Sequence, residues 1–159
     1  MGEERNERRI DRASRVILAS ARTLYRAFLD AEIMTGWRAP DGMDAQIRDF
    51  LPQVGGGYRM RLRYRGDDAA RQGKTRPGED EVEVVFAELI AEERVVEKVR
   101  FLSDNPMLGG VMTLITTFEK DRDGTKVIVC AHDVPHGIDP NDHAKGMASS
   151  LRNLARLTE

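Results

Sequence analysis

Residues 132–159 read HDVPHGIDPNDHAKGMASSLRNLARLTE, and this stretch decides the fold. Asp139 offers a side-chain oxygen to cap a helix, and Pro140 stands at a first helical position, where a missing N–H costs nothing. Asp142 then puts negative charge into the first turn, where the helix dipole favours it. Met147, Leu151, Leu154 and Leu157 follow at steps of three and four and form one apolar stripe. A stripe of that kind must be buried against something. The residues before it are strand-like, so the expectation is a sheet with this helix lying across it.

Working back from the helix, residues 126–134 and 112–120 read as the last hairpin, turning at Asp123-Gly124-Thr125. Residues 81–91 and 94–102 form another, with Glu92-Glu93 at its turn, and Ser103-Asp104-Asn105-Pro106 is a further turn. Residues 58–65 alternate without exception. Tyr58, Met60, Leu62 and Tyr64 share one face and Arg59, Arg61, Arg63 and Arg65 the other, the pattern of a strand with one buried and one wet side. The polar segment 66–80 is expected to be a long mobile loop.

Nearer the start, residues 11–19 suggest a first strand. Ser20 and Asp30 can cap two short helices, the first carrying Leu24, Ala27 and Phe28, the second Ile33 and Met34 before Gly36. After Trp37 and a turn at Pro40-Asp41-Gly42 comes a second strand over 45–51, which Pro52 ends. The order is strand, two short helices, about six further strands and a long helix. Strands and helices are segregated, so the expected class is α+β with a curved antiparallel sheet of six or seven strands around the C-terminal helix.

The bulk composition narrows the function. A chain of 159 residues suits one domain with a real core, here residues 11–159 after a charged, mobile tail over 1–10. A net charge of −2 argues against a nucleic-acid binder. The single Cys130 cannot form an internal disulfide and points to a reducing compartment; mid-strand, it reads as an inert buried thiol. No apolar run is long enough to span a bilayer, and the opening MGEERNERR is too charged for a signal peptide. Asn6 stands where a myristoylation signal wants Ser or Thr. The expected location is the cytoplasm.

The segments WRAP (37–40), GGGYRM (55–60), VFAELI (85–90), GVMT (110–113), GTKV (124–127) and VPHGIDPND (134–142), leading to GMASSLRNLA (146–155), occur in an order that resembles the START-like (SRPBCC) superfamily. Within it the chain is most similar to the family named after the activator of heat-shock protein 90 ATPase homologue, from about Arg12 to the C-terminus. The resemblance implies a helix-grip fold, in which a strongly bent sheet wraps the last helix and leaves a cavity. It also implies that a small, mainly apolar molecule, lipid- or polyketide-like, binds there. By position, Trp37, Tyr58 and Met60 would lie at the cavity mouth or floor, with Leu62 on the same strand face. Phe86, Met112, Met147 and Leu151 would line its sides, and His132 stands where relatives often carry a strand-end histidine. Many relatives place a second Trp after the helix glycine, where this chain has Met147.

Several other constellations have plainer readings. His132, His136 and His143 lie close in sequence beside Asp133, Asp139 and Asp142, but their spacing is not a standard zinc pattern, so no metal is assigned. Nor is a cofactor. His132 titrates near neutrality, yet no partner nucleophile or paired carboxylate accompanies it, so no catalytic residue is assigned. The arginine stripe is expected to pair across strands with Glu81, Glu83 and Glu97. Gly55–Gly57 precede a strand rather than a helix, which makes them a turn or bulge and not a phosphate loop. Trp37 suits a core aromatic that also walls the cavity. Two rival readings stand beside ligand binding. One is a cyclase- or dehydratase-type enzyme acting on a polyketide-like substrate. The other is a protein-interaction module, chaperone-associated or pairing with itself as a homodimer.

Overall fold

The computed structural model describes residues 9–66 and 78–159. Residues 1–8 of the expected tail over 1–10 and most of the expected loop, 67–77, lie outside the described residues, while Ile10, also expected in the tail, opens the first strand. The elements run in the order β1 (Ile10–Ile17), α1 (Ala21–Arg26), α2 (Ala31–Thr35), β2 (Met43–Arg48), β3 (Gly57–Tyr64), β4 (Glu79–Ile90), β5 (Arg94–Phe101), β6 (Met112–Asp121), β7 (Gly124–His132) and α3 (Pro140–Thr158). The seven strands form one curled antiparallel sheet in the order β1-β7-β6-β5-β4-β3-β2. Each strand from β2 to β7 pairs with the next in sequence, and β1 closes beside β7.

The helix starts follow local chemistry. The side chains of Ser20, Asp30 and Asp139 accept hydrogen bonds from the backbone N–H of Thr23, Ile33 and Asp142, at 3.1, 3.0 and 3.0 Å. Each satisfies one of the donors that a helix N-terminus leaves without an intrahelical partner. On α3, Leu151, Leu154 and Ala155 are buried and Met147 is half-buried. Leu157 departs from the expected stripe and is 50% exposed, with its side chain beside Gly36.

Strand boundaries shift by a few residues from expectation. β1 begins at Ile10, which already pairs with His132, and ends at Ile17. β2 spans 43–48 rather than 45–51, since Leu51 turns back to donate its N–H to the Gly57 carbonyl at 2.8 Å. β4 starts at Glu79, because the pairing of Arg63 with Glu79 extends the ladder into the expected loop. β7 starts at Gly124 and stops at His132; the β6–β7 turn is Arg122-Asp123, closed by the pairing of Asp121 with Gly124. Gly57 is required for a steric reason: a Cβ there would lie 1.8 Å from the Val84 carbonyl oxygen.

One irregularity shapes the interior. β4 carries a bulge between Phe86 and Glu88. Before it, Val82, Val84 and Phe86 face inward; after it, Leu89 lies opposite the fully buried Val95. An extra residue in one strand resets the two-residue alternation and increases local bend. Phe86, the last residue before the bulge, stands directly opposite Glu97.

The first turn of α3 is tied to β1 by an ion cluster. Arg9 donates to both carboxylate oxygens of Asp11, the closer bond being 2.7 Å, and also to the Ile138 carbonyl. His143 Nδ1 lies 2.8 Å from Asp11 Oδ2. The Arg9 hydrogen bond holds the Asp11 carboxyl below its usual range; partial burial opposes this and the His143 contact reinforces it. A depressed folded-state pKa gives stability that is complete above the unfolded pKa and is lost as pH falls through the folded one. Asp11→Asn is therefore expected to lower the melting temperature at pH 7, with the gap to wild type closing as pH falls below about 4. Melting curves of both proteins between neutral and acid pH check this; a gap that does not depend on pH would refute it.

Candidate functional site

A buried charged cluster lies on the concave face of the sheet. Arg38 Nη2 donates to Glu97 Oε1 at 2.9 Å and Nη1 to Oε2 at 3.4 Å. The Tyr58 hydroxyl donates to Glu97 Oε2 at 2.5 Å. The Glu97 side chain is 0% exposed and that of Arg38 is 12% exposed. The guanidinium sits over two aromatic rings, 5.2 Å from the Trp37 centroid and 5.6 Å from that of Phe28. Rings attract a cation through their negative faces, more strongly where water is excluded. Tyr58 in turn stacks on Phe50 and meets Phe86 at 5.6 Å.

The cluster corrects one expectation. Glu97 does not pair with the arginine stripe. It occupies an inward position between Val95 and Val99, so its carboxylate points into the core. Among the described residues the outer stripe is balanced by other acids. Arg59 and Arg100 meet Glu83, Arg61 and Arg63 meet Glu79, and Arg65 meets Asp44. Glu81 takes Arg48 from β2.

Arg38 is held from behind by α3. Its own carbonyl accepts from Ser150 Oγ at 2.8 Å, and the Ala39 carbonyl accepts from Asn153 Nδ2 at 3.0 Å. The Asp41 N–H donates to Ser149 Oγ at 3.1 Å, and the Asp41 carboxylate pairs with Arg152. The polar residues of the SSLRN segment thus clamp residues 38–41, while Leu151 and Leu154 face the core. Trp37 is fixed as well, its indole N–H donating to the Ala27 carbonyl at 3.1 Å.

The environment sets the protonation of two members. Burial opposes the charge on Arg38, but the Glu97 carboxylate outweighs it, and the pKa rises above the ordinary arginine value. Burial pushes the Tyr58 phenol well above its usual value; the Glu97 charge and hydrogen bond add to this, and Arg38 offsets only part. Tyr58 therefore stays protonated at neutral pH and serves as a donor.

Of the residues expected to line a cavity, Trp37, Tyr58, Met60, Phe86, Met112 and Leu151 fall in one buried cluster, with Leu62 and Met147 half-buried against it. His132 is the exception. Side chains alternate along a strand and Ala131 faces the core, so His132 belongs to the other face, opposite Ile10 and Thr113. Among the described residues no three His, Cys, Asp or Glu side chains gather as a metal site. Two pockets, of about 140 and 350 Å³, open on the β2–β3–β4 side of the molecule, and neither is lined by α3. Arg38 and Glu97 were not singled out from sequence. The available signal was Glu97 itself, an acid standing in the inward phase of V95-V96-E97-K98-V99-R100-F101.

A family model described as Activator of Hsp90 ATPase homolog 1-like protein matches residues 18–159. The chain belongs to this family. This AHSA1-like chain also resembles solved structures. A Chromobacterium violaceum protein superposes with a TM-score of 0.80 at 28% identity, covering 94% of this chain and 96% of that one. An AHSA1-like protein from Aeromonas hydrophila gives 0.68 at 15% identity, covering 94% and 91%. A protein in the dynemicin biosynthetic locus gives 0.64 at 15% identity, covering 92% of this chain and 46% of that one. The last two show the fold alone. No curated protein matches the chain. Among the described residues no helix is long and apolar enough to cross a membrane.

Removing one partner of a buried ion pair leaves the other charge uncompensated, whereas replacing both with apolar groups is close to neutral. Glu97→Ala is expected to cost about 3–5 kcal/mol in chemical denaturation, and the double variant Arg38→Met/Glu97→Leu to recover most of that loss. A Glu97→Ala protein within about 1 kcal/mol of wild type would contradict the buried pairing.

Proposed function

We propose that this protein binds a small, mainly apolar molecule between α3 and the concave face of the sheet. One observation carries the reading. The backbone of α3 comes closest to β1 and α1. Across the remaining distance to β3, β4 and β5 the interior is built from side chains. Several of these are long and adaptable: Met60, Met112 and Met147 are methionines, and Leu62 and Met147 are only half-buried. Methionine side chains repack around irregular shapes at low cost. A ligand would displace the half-buried side chains of Leu62 and Met147 and have Trp37, Tyr58, Phe86 and Leu151 as its walls. The structural neighbour from the dynemicin locus is in keeping with a small-molecule client.

Binding to the folded state alone raises stability by about 2.7 kcal/mol at a ligand concentration of one hundred times Kd. For a domain of this size that is a rise of several degrees in melting temperature. A panel of lipids and polycyclic aromatics is expected to contain compounds that produce such a rise. Native mass spectrometry should then show a one-to-one complex. Met147→Trp is expected to fill the space and remove the shift while the ligand-free protein still melts cooperatively. If no compound in a broad panel raises the melting temperature, the reading fails.

A further inference from the structure

The Arg38–Glu97–Tyr58 cluster has more hydrogen-bonding capacity than its own members use. A guanidinium carries five N–H donors. Among the described residues Arg38 spends them on Glu97 alone, and the rings of Trp37 and Phe28, which accept no ordinary hydrogen bond, lie beside it. Glu97 is closed off completely, while Arg38 retains some accessible surface. Of the pair, only Arg38 has surface that a bound molecule can touch. Because Ser150 and Asn153 hold the backbone of residues 38 and 39, the guanidinium is presented in a fixed position.

We infer that Arg38 donates a hydrogen bond to a neutral carbonyl-type oxygen on an otherwise apolar ligand, and that Glu97 makes the site reject carboxylates. The inference rests on the binding reading above and names its ligand class. A plain hydrocarbon would displace water from the free N–H groups and leave them unpaired, which costs binding energy. A carboxylate would bring a second negative charge beside Glu97 in a dry site. Two acids sharing one buried cation repel, and both must be dehydrated. A ketone, ester, lactone or quinone oxygen satisfies the donor and adds no charge. Tyr58 supports the arrangement by occupying Glu97 Oε2, so the carboxylate stays turned toward Arg38.

The test uses matched compounds: acetylnaphthalene, ethylnaphthalene and naphthoate, with decanone, decane and decanoate as aliphatic counterparts. Affinities are measured on the intact protein by calorimetry, with thermal shift as a second readout. In wild type the ketone of at least one set is expected to bind about tenfold tighter than its hydrocarbon and its carboxylate. Arg38→Met should bind ketone and hydrocarbon equally. Glu97→Gln keeps the shape and an acceptor for Tyr58 but removes the charge, and should invert the order so that the carboxylate binds best. If hydrocarbon and ketone bind wild type alike, if the carboxylate binds best there, or if Arg38→Met keeps the ketone preference, the inference fails while the binding reading stands. If no compound binds, both fail. Should either single variant not fold, the wild-type order and the Arg38→Met/Glu97→Leu protein, which should bind ketone and hydrocarbon equally, decide.

Discussion

A charge buried in a small domain must be met by an opposite charge and held in place, and here the pairing of Arg38 with Glu97 imposes that requirement on three separate parts of the chain. Glu97 comes from the middle of the sheet. Arg38 comes from the segment between α2 and β2. The helix that fixes the backbone of this segment is α3, through Ser149, Ser150 and Asn153. Sheet, loop and helix thus meet at one side-chain contact. Such a pair adds little net stability beside a well-packed apolar substitute. Its consequence lies in position: it gives an otherwise apolar interior one fixed polar point.

The surrounding architecture follows from that arrangement. The aromatic rings of Phe28 and Trp37 pack at 4.8 Å and lie against the guanidinium, excluding water from one side. Phe86 stands opposite Glu97 at the edge of the β4 bulge, and the bulge resets the alternation so that Leu89 also reaches the core. On the convex face the arginines of β3 and Arg65 are matched, among the described residues, by acids of β4 and β2, so both signs of charge alternate there. Exposed pairs of this kind contribute little to stability. They serve better to keep the strands in register, since Arg59, Arg61 and Arg63 stand opposite Glu83, Glu81 and Glu79.

Much of this could be read directly from the residues. The three helix caps, the alternation of residues 58–65, the hairpins and the amphipathic α3 are local patterns, and local patterns are written in neighbouring residues. The motif order from WRAP to GMASSLRNLA pointed to the family, and the family model confirms it. The candidate site was less legible. Its apolar walls were visible because apolar residues in one phase must share a face. Its charged centre was assigned to the wrong side: Glu97 looked like another member of the surface ladder, although its phase with Val95, Val99 and Phe101 already placed it inward. Positional likeness to the family groups His132 with the walls, whereas strand alternation puts it on the opposite face.

The residues by themselves determined the class of the fold, the element order and the face that each regular element buries, because hydrophobic periodicity and capping act over a few residues. Only the tertiary structure decided which charges meet. Residues 38, 58, 97 and 150 are far apart in the chain and belong to four different elements or loops, and nothing local to any of them encodes the others. Their meeting depends on the curl of the whole sheet and on the path of α3 beside β1, and both arise only once the sheet has formed.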